Sequence, residues 1–205
     1  MEQKDVTLCD KALGYWTIGI QYLHLVEMVA NETIQQGNKF VVVLNGENIS
    51  WEEWIARYNS QTKWSDHNLV VPLLFDFYHG VEVLLKGFLA AKGKMGKKSH
   101  KLSDLLKAFD ELFPGHRLST LLSRYIFMGQ LPEPLATFCS ESSISIDEYY
   151  QALKYPESTN GDIYQHSPLK YQSGAGLPFF KGLVTDISNV RRDAVALGIS
   201  ICPNL

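Results

Sequence analysis

The stretch Leu73–Gly93, LLFDFYHGVEVLLKGFLAAKG, constrains the fold more than any other part of the chain. It is almost wholly apolar, so as a helix it must be covered by other protein on most of its surface. Yet Asp76, His79, Glu82 and Lys86 interrupt it at intervals of three, three and four. That spacing sets four ionisable groups along one side of a helix. A metal site, a catalytic site and a structural ion-pair ladder share this pattern.

The ladder has a direct physical basis. Glu82 and Lys86 stand four apart with the acid N-terminal, which is the favourable orientation. Exposed, such a pair contributes about 0.3–0.5 kcal/mol. Buried, the loss of either partner costs far more, because a charge is left unpaired. A polar seam beside an apolar face points to a cleft or a subunit interface. For a metal, Asp76-x-x-His79 followed by Glu82 supplies carboxylates and an imidazole on one face, and His24-x-x-Glu27 lies on an earlier helix. No second Glu-x-x-His pair completes a dinuclear set, so Asp76, His79 and Glu82 form an incomplete ligand group, and no cofactor is expected.

The chain of 205 residues is long enough for a real core, with 45% hydrophobic and 20% charged residues. One domain, 1–205, is expected. A net charge of -3 makes the molecule as a whole a poor trap for polyanions. Cys9, Cys139 and Cys202 are odd in number and lack Cys-x-x-Cys spacing. That argues against a disulfide framework and for a reducing, cytoplasmic compartment. The uncharged run Ala12–Val26 is too short to span a bilayer and contains Gln21 and His24, so no membrane segment is expected.

Helical periodicity over 7–37 predicts one long helix stopped by Gly37. A β-branched run and Asn45-Gly46 then predict a small hairpin near 39–49. Ser50 and Glu53 form a capping box for a short helix. Ser65 or Asp66 caps the next helix, about 68–92, with Pro72 in its first turn. Ser99 or Ser103 starts a helix that ends at Pro114-Gly115. Another follows over HRLSTLLSRYIFMG. Ser145 and Glu148 form a second capping box. From about 155 to 178 runs a Gly/Pro/Ser/Tyr-rich segment, long for a compact domain. A final helix carries Leu183, Ile187, Val190, Ala194 and Leu197 as its core stripe.

Two further motifs bear on chemistry. Lys92–Lys101 holds five lysines, but it departs from a phosphate-binding loop at Ala91 and Lys98 and follows a helix rather than a strand. The helix macrodipole alone favours cations there, and phosphate or RNA contact is the functional reading. His166, with Tyr150, Tyr155, Tyr164 and Tyr171, either lines a pocket or packs a loop. No nucleophile elbow is present.

FYHGVEVLLKGFLAAKG, a basic gap, SHKLSDLLKAF and then ALKYPES together resemble the HEPN-domain proteins of bacteria and archaea. The matching positions are Glu82 and Lys86, then His100, Leu102 and Leu105, then Lys154-Tyr155-Pro156, and the resemblance covers roughly 68–197. It implies a mainly all-α chain: an antiparallel four- or five-helix bundle with Leu73–Gly93 at its centre and residues 7–66 packed on it. It also implies a homodimer. Members of that family are RNA-cleaving toxins, or non-catalytic modules associated with RNA, nucleotides or protein partners in stress and defence. Active members carry Arg-x4–6-His, with His acting on the 2′-hydroxyl and Arg on the phosphate. Here Arg57, Arg117, Arg124, Arg191 and Arg192 have no His at that spacing. A non-catalytic binding role is therefore expected, with Glu82, Lys86, His100 and Lys154 near a cleft and Arg191 and Arg192 as anion contacts. The alternatives are a divergent metal-free ribonuclease, using His79 or His100 with Arg192, and the metal-binding bundle.

Overall fold

α1 spans Leu8–Gln36 and is closed at both ends as its sequence directs. Thr7 and Asp10 make a reciprocal capping box, and Gly37 stops the helix with φ 76°, a left-handed conformation that suits glycine. The computed structural model describes residues 7–42, 48–94 and 99–203. The Asn45-Gly46 turn of the expected hairpin lies outside the described residues, as do Lys97 and Lys98 of the basic loop. Residues 39–42 and 48–50, on either side of that turn, have no regular secondary structure. The described residues are mostly helical and contain no strand, as an all-α class requires.

α2 runs Trp51–Thr62 from the Ser50–Glu53 capping box. α3 spans Asp66–Ala91, α4 Leu102–Leu112, α5 Arg117–Ile126, α6 Leu135–Glu141, α7 Tyr149–Ala152 and α8 Leu177–Ile201. α3 is the hub: it packs on α1, α4 and α7, while α8 packs on α1 and α5. Leu74, Tyr78, Leu84, Leu85 and Phe88 of α3 are at most 1% exposed, so the helix is covered nearly all round. The helical stretch Trp51–Ala91 is long and apolar enough to cross a membrane, which the sequence reading did not anticipate. Within the fold, 56% of that apolar window is buried, as a bundle's core helix requires.

α1 and α3 approach closely because glycines line their contact. A Cβ on Gly19 would lie 2.9 Å from the Leu84 backbone nitrogen. One on Gly87 would lie 2.5 Å from Cδ1 of Trp16, so the indole occupies the space a side chain would need.

Tertiary contacts supply acceptors at two helix starts. Pro72 is not in the first turn of α3 but inside the helix, where it has no N–H to give to the Asn68 carbonyl. Ser65 is the N-cap of α3, one of the two residues expected there, but its side chain makes no capping bond, and the Asp66 backbone N–H donates instead to Oδ1 of Asn38 at 2.7 Å. Neither Ser99 nor Ser103 caps α4. Instead the Ser103 backbone N–H, in the first turn, donates to Oδ1 of Asp147 at 2.8 Å, a carboxylate from a distant segment.

The 155–178 segment is tied down along its length. Asp66, 1% exposed, accepts from the backbone N–H groups of Tyr171 (3.0 Å) and Gln172 (2.8 Å) and from Nδ2 of Asn38 (2.8 Å). Asn38 Nδ2 also donates to the Ser173 carbonyl at 2.7 Å. Tyr171 and Ser173 have φ of 62° and 50°, values that L side chains seldom adopt. The buried carboxylate and amide hold them there.

Cys9 and Cys202 form a disulfide across 193 residues of sequence, which corrects the expectation drawn from cysteine count and spacing. α1 and α8 lie side by side, so the start of one meets the end of the other. Distance along the chain was the wrong measure. The cysteine argument for a reducing compartment loses its basis with it. Cys139 is free and buried, and burial, with Glu148 adding to it, pushes its thiol up to about 12.

Candidate functional site

Glu82, in the middle of α3, is buried at 2% exposure, as is Asp66 at the start of the helix. The Glu82 carboxylate survives there because three donors reach it. Lys86 Nζ donates to Oε1 at 2.6 Å from the next turn of the same helix. His100 Nδ1 meets Oε1 at 2.9 Å from the segment leading into α4. The Tyr149 hydroxyl donates to Oε2 from the start of α7. Burial alone would raise the Glu82 pKa. The hydrogen bonds from Lys86 and Tyr149, the Lys86 charge and the His100 contact outweigh it, and the group lies below its ordinary value. Tyr149 shifts the opposite way: burial and the bond to Glu82 both raise its pKa, so it remains a phenol and a donor.

This pairing orients His100. An ionised Glu82 requires a proton on Nδ1, so in neutral His100 the lone pair is on Nε2. The His100 side chain is 63% exposed, so solvent reaches it. Tyr150 lies beside it, with ring centroids 5.9 Å apart, and Lys154 Nζ sits 5.0 Å from the Tyr150 ring centre. Lys154 also lies 5.2 Å from the Tyr155 ring. A hydrogen bond to Tyr155, with contributions from Tyr150, holds the Lys154 pKa above its usual value, so this cation persists. The outcome is a surface patch with a buried acid beneath two cations, an imidazole and an aromatic face. The polar cleft of about 850 Å³ between α6, α7 and residues 158–165 contains none of Glu82, Lys86, His100 or Lys154.

Of the residues singled out from sequence, Glu82, Lys86, His100 and Lys154 belong to this patch. Comparison with known protein families, with curated proteins and with solved structures yields no match. The patch must therefore be read from its own chemistry. Arg191 pairs with Glu27 of α1, and Arg192 bonds to Asn189 (2.9 Å) and Asp193 (3.1 Å) within α8. Neither arginine bonds to the patch. His79 packs between Tyr22 (4.8 Å) and Phe75 (6.0 Å), and its buried Nδ1 has no hydrogen-bond partner. Burial raises the Asp76 pKa, and the nearby His79 partly offsets this. Among the described residues no three His, Cys, Asp or Glu side chains converge as metal ligands, so Asp76, His79 and Glu82 do not assemble.

The tyrosine-rich loop divides its members among separate contacts. His166 meets the Ala152 carbonyl through Nε2 at 2.6 Å and stacks on Phe138, while Tyr171 stacks on His67. Tyr149 was the residue that sequence reasoning missed. The Ser145–Glu148 capping box placed it at a helix start, but nothing local shows that it faces Glu82.

Proposed function

We propose that this chain is a non-catalytic, HEPN-like, dimeric protein that binds RNA or a nucleotide at the Glu82–His100 patch. The observation carrying this reading is that one buried carboxylate gathers Lys86 and His100 beside Tyr150 and Lys154. Cations suit phosphate, and an exposed tyrosine ring suits a base. Arg191 and Arg192, the arginines expected to contact an anion, bond instead to Glu27, Asn189 and Asp193, which favours binding over catalysis. A protein partner in stress or defence is compatible with the same patch. The Cys9–Cys202 disulfide argues against the cytoplasmic location expected from sequence, and thiol trapping in the cell tests it: reduced Cys9 and Cys202 would restore that location.

The test is fluorescence anisotropy with a single-stranded RNA oligonucleotide at two salt concentrations. His100→Ala and Lys154→Ala should each weaken binding by about tenfold, and Lys154→Ala should flatten the salt dependence. Unchanged affinity in both variants sinks the reading. A second reading has its own support: Glu82 on Nδ1 leaves Nε2 of His100 placed as a general base. Cleavage of that RNA in EDTA, lost in His100→Ala, would replace binding with metal-free ribonuclease activity.

A further inference from the structure

α1 shows solvent a stripe that an outer helix of a bundle does not need. Its inner face packs on α3 and α8. On its outer face Ile18, Leu25 and Met28 are 48%, 47% and 54% exposed. Gly14 and Gln21, also exposed, complete a row spaced four, three, four and three. That alternation is the seam of a coiled coil. Between Ala12 and Val26 the helix has no Asp, Glu, Lys or Arg, so its outer face lacks the charges that normally solvate such a surface. The same spacing extends to exposed Lys11 at one end and exposed Glu32 at the other. Neither makes an ion pair with another described residue.

We propose that this stripe is where the dimer forms, α1 pairing antiparallel with α1 of a second copy about a two-fold axis near Gln21. The inference rests on the dimeric reading above and adds the face and the direction. A partner helix must carry the same seam spacing to interdigitate, and a second copy carries it by construction. The end charges choose the direction. Parallel pairing sets Lys11 against Lys11 and Glu32 against Glu32. Antiparallel pairing sets Lys11 against Glu32 of the second copy, twice. It also sets Ile18 opposite Leu25, and Met28 opposite Gly14, where a Cβ would meet nothing within 4 Å. Gln21 meets its own symmetry mate, and an amide both donates and accepts.

Sedimentation equilibrium of the full chain tests this. The wild type should be a dimer, and Ile18→Glu and Leu25→Glu should be monomers of unchanged helicity, since both positions are exposed. Lys11→Glu should weaken the dimer by about fivefold, and adding Glu32→Lys should restore it. A monomeric wild type overturns both the inference and the dimeric reading. A dimer that persists in Ile18→Glu and Leu25→Glu overturns only the inference, because the dimer then uses another face. Should those variants lose helicity, the charge exchange decides alone: failure of the double variant to recover overturns the antiparallel arrangement.

Discussion

The Tyr149 hydroxyl donates to Oε2 of Glu82 across 67 residues of sequence, and both residues are almost fully buried. This contact fixes α7 to the central helix and leaves Oε1 for Lys86 and His100. The candidate site is thus part of the core at its base and part of the surface at its rim.

Replacing Glu82 tests that dual role. Glu82→Gln removes the charge that Lys86 and His100 share, and should cost about 3–5 kcal/mol in denaturant unfolding. The folded-state pKa of Glu82 is lowered from its ordinary 4.5. The unfolded state therefore binds the proton more readily. The stabilisation is present above pH 4.5 and is lost as pH falls through the lower folded value. The difference in melting temperature between wild type and Glu82→Gln should shrink as pH falls below 4.5.

Asp66→Ala should release the 171–173 backbone. Two N–H donors and the Asn38 amide lose a buried acceptor, at about 2–3 kcal/mol in total. Hydrogen exchange at Tyr171 and Gln172 should accelerate relative to the core of α3. Unchanged protection there would show that Asp66 does not hold the segment.

Gly87→Ala probes the α1–α3 approach. The new methyl would fall on the Trp16 indole, and overpacking of this kind costs about 1–3 kcal/mol. Gly115→Ala is not a suitable control, because Gly115 has φ 71°. Gly182→Ala is suitable: it is helical, its Cβ would meet nothing within 4 Å, and it should be neutral or slightly stabilising.

Cys202→Ser should lower stability by about 2–4 kcal/mol under oxidising conditions and change nothing under reducing ones. Thermal unfolding of both proteins with and without dithiothreitol separates the cross-link from any packing role of the sulfur.

Several features of this protein are determined by sequence alone. Thr7 with Asp10 and Ser50 with Glu53 cap their helices, and Gly37 ends α1, because each depends only on residues within a few positions. Glu82–Lys86 was legible for the same reason, being one turn apart on a helix whose apolar length announced a core position. The tertiary structure decided everything that depends on where helices meet. Asp147 reaches Ser103, Asn38 accepts from the Asp66 N–H, and Cys9 meets Cys202, contacts with no local signal. Arg191 and Arg192 looked available for an anion, but Arg191 pairs with Glu27 of α1 and Arg192 bonds within α8. Periodicity reports which face of a helix is buried. It does not report which distant side chain arrives there, and at Glu82 the arrivals of His100 and Tyr149 turn an ion pair into a candidate site.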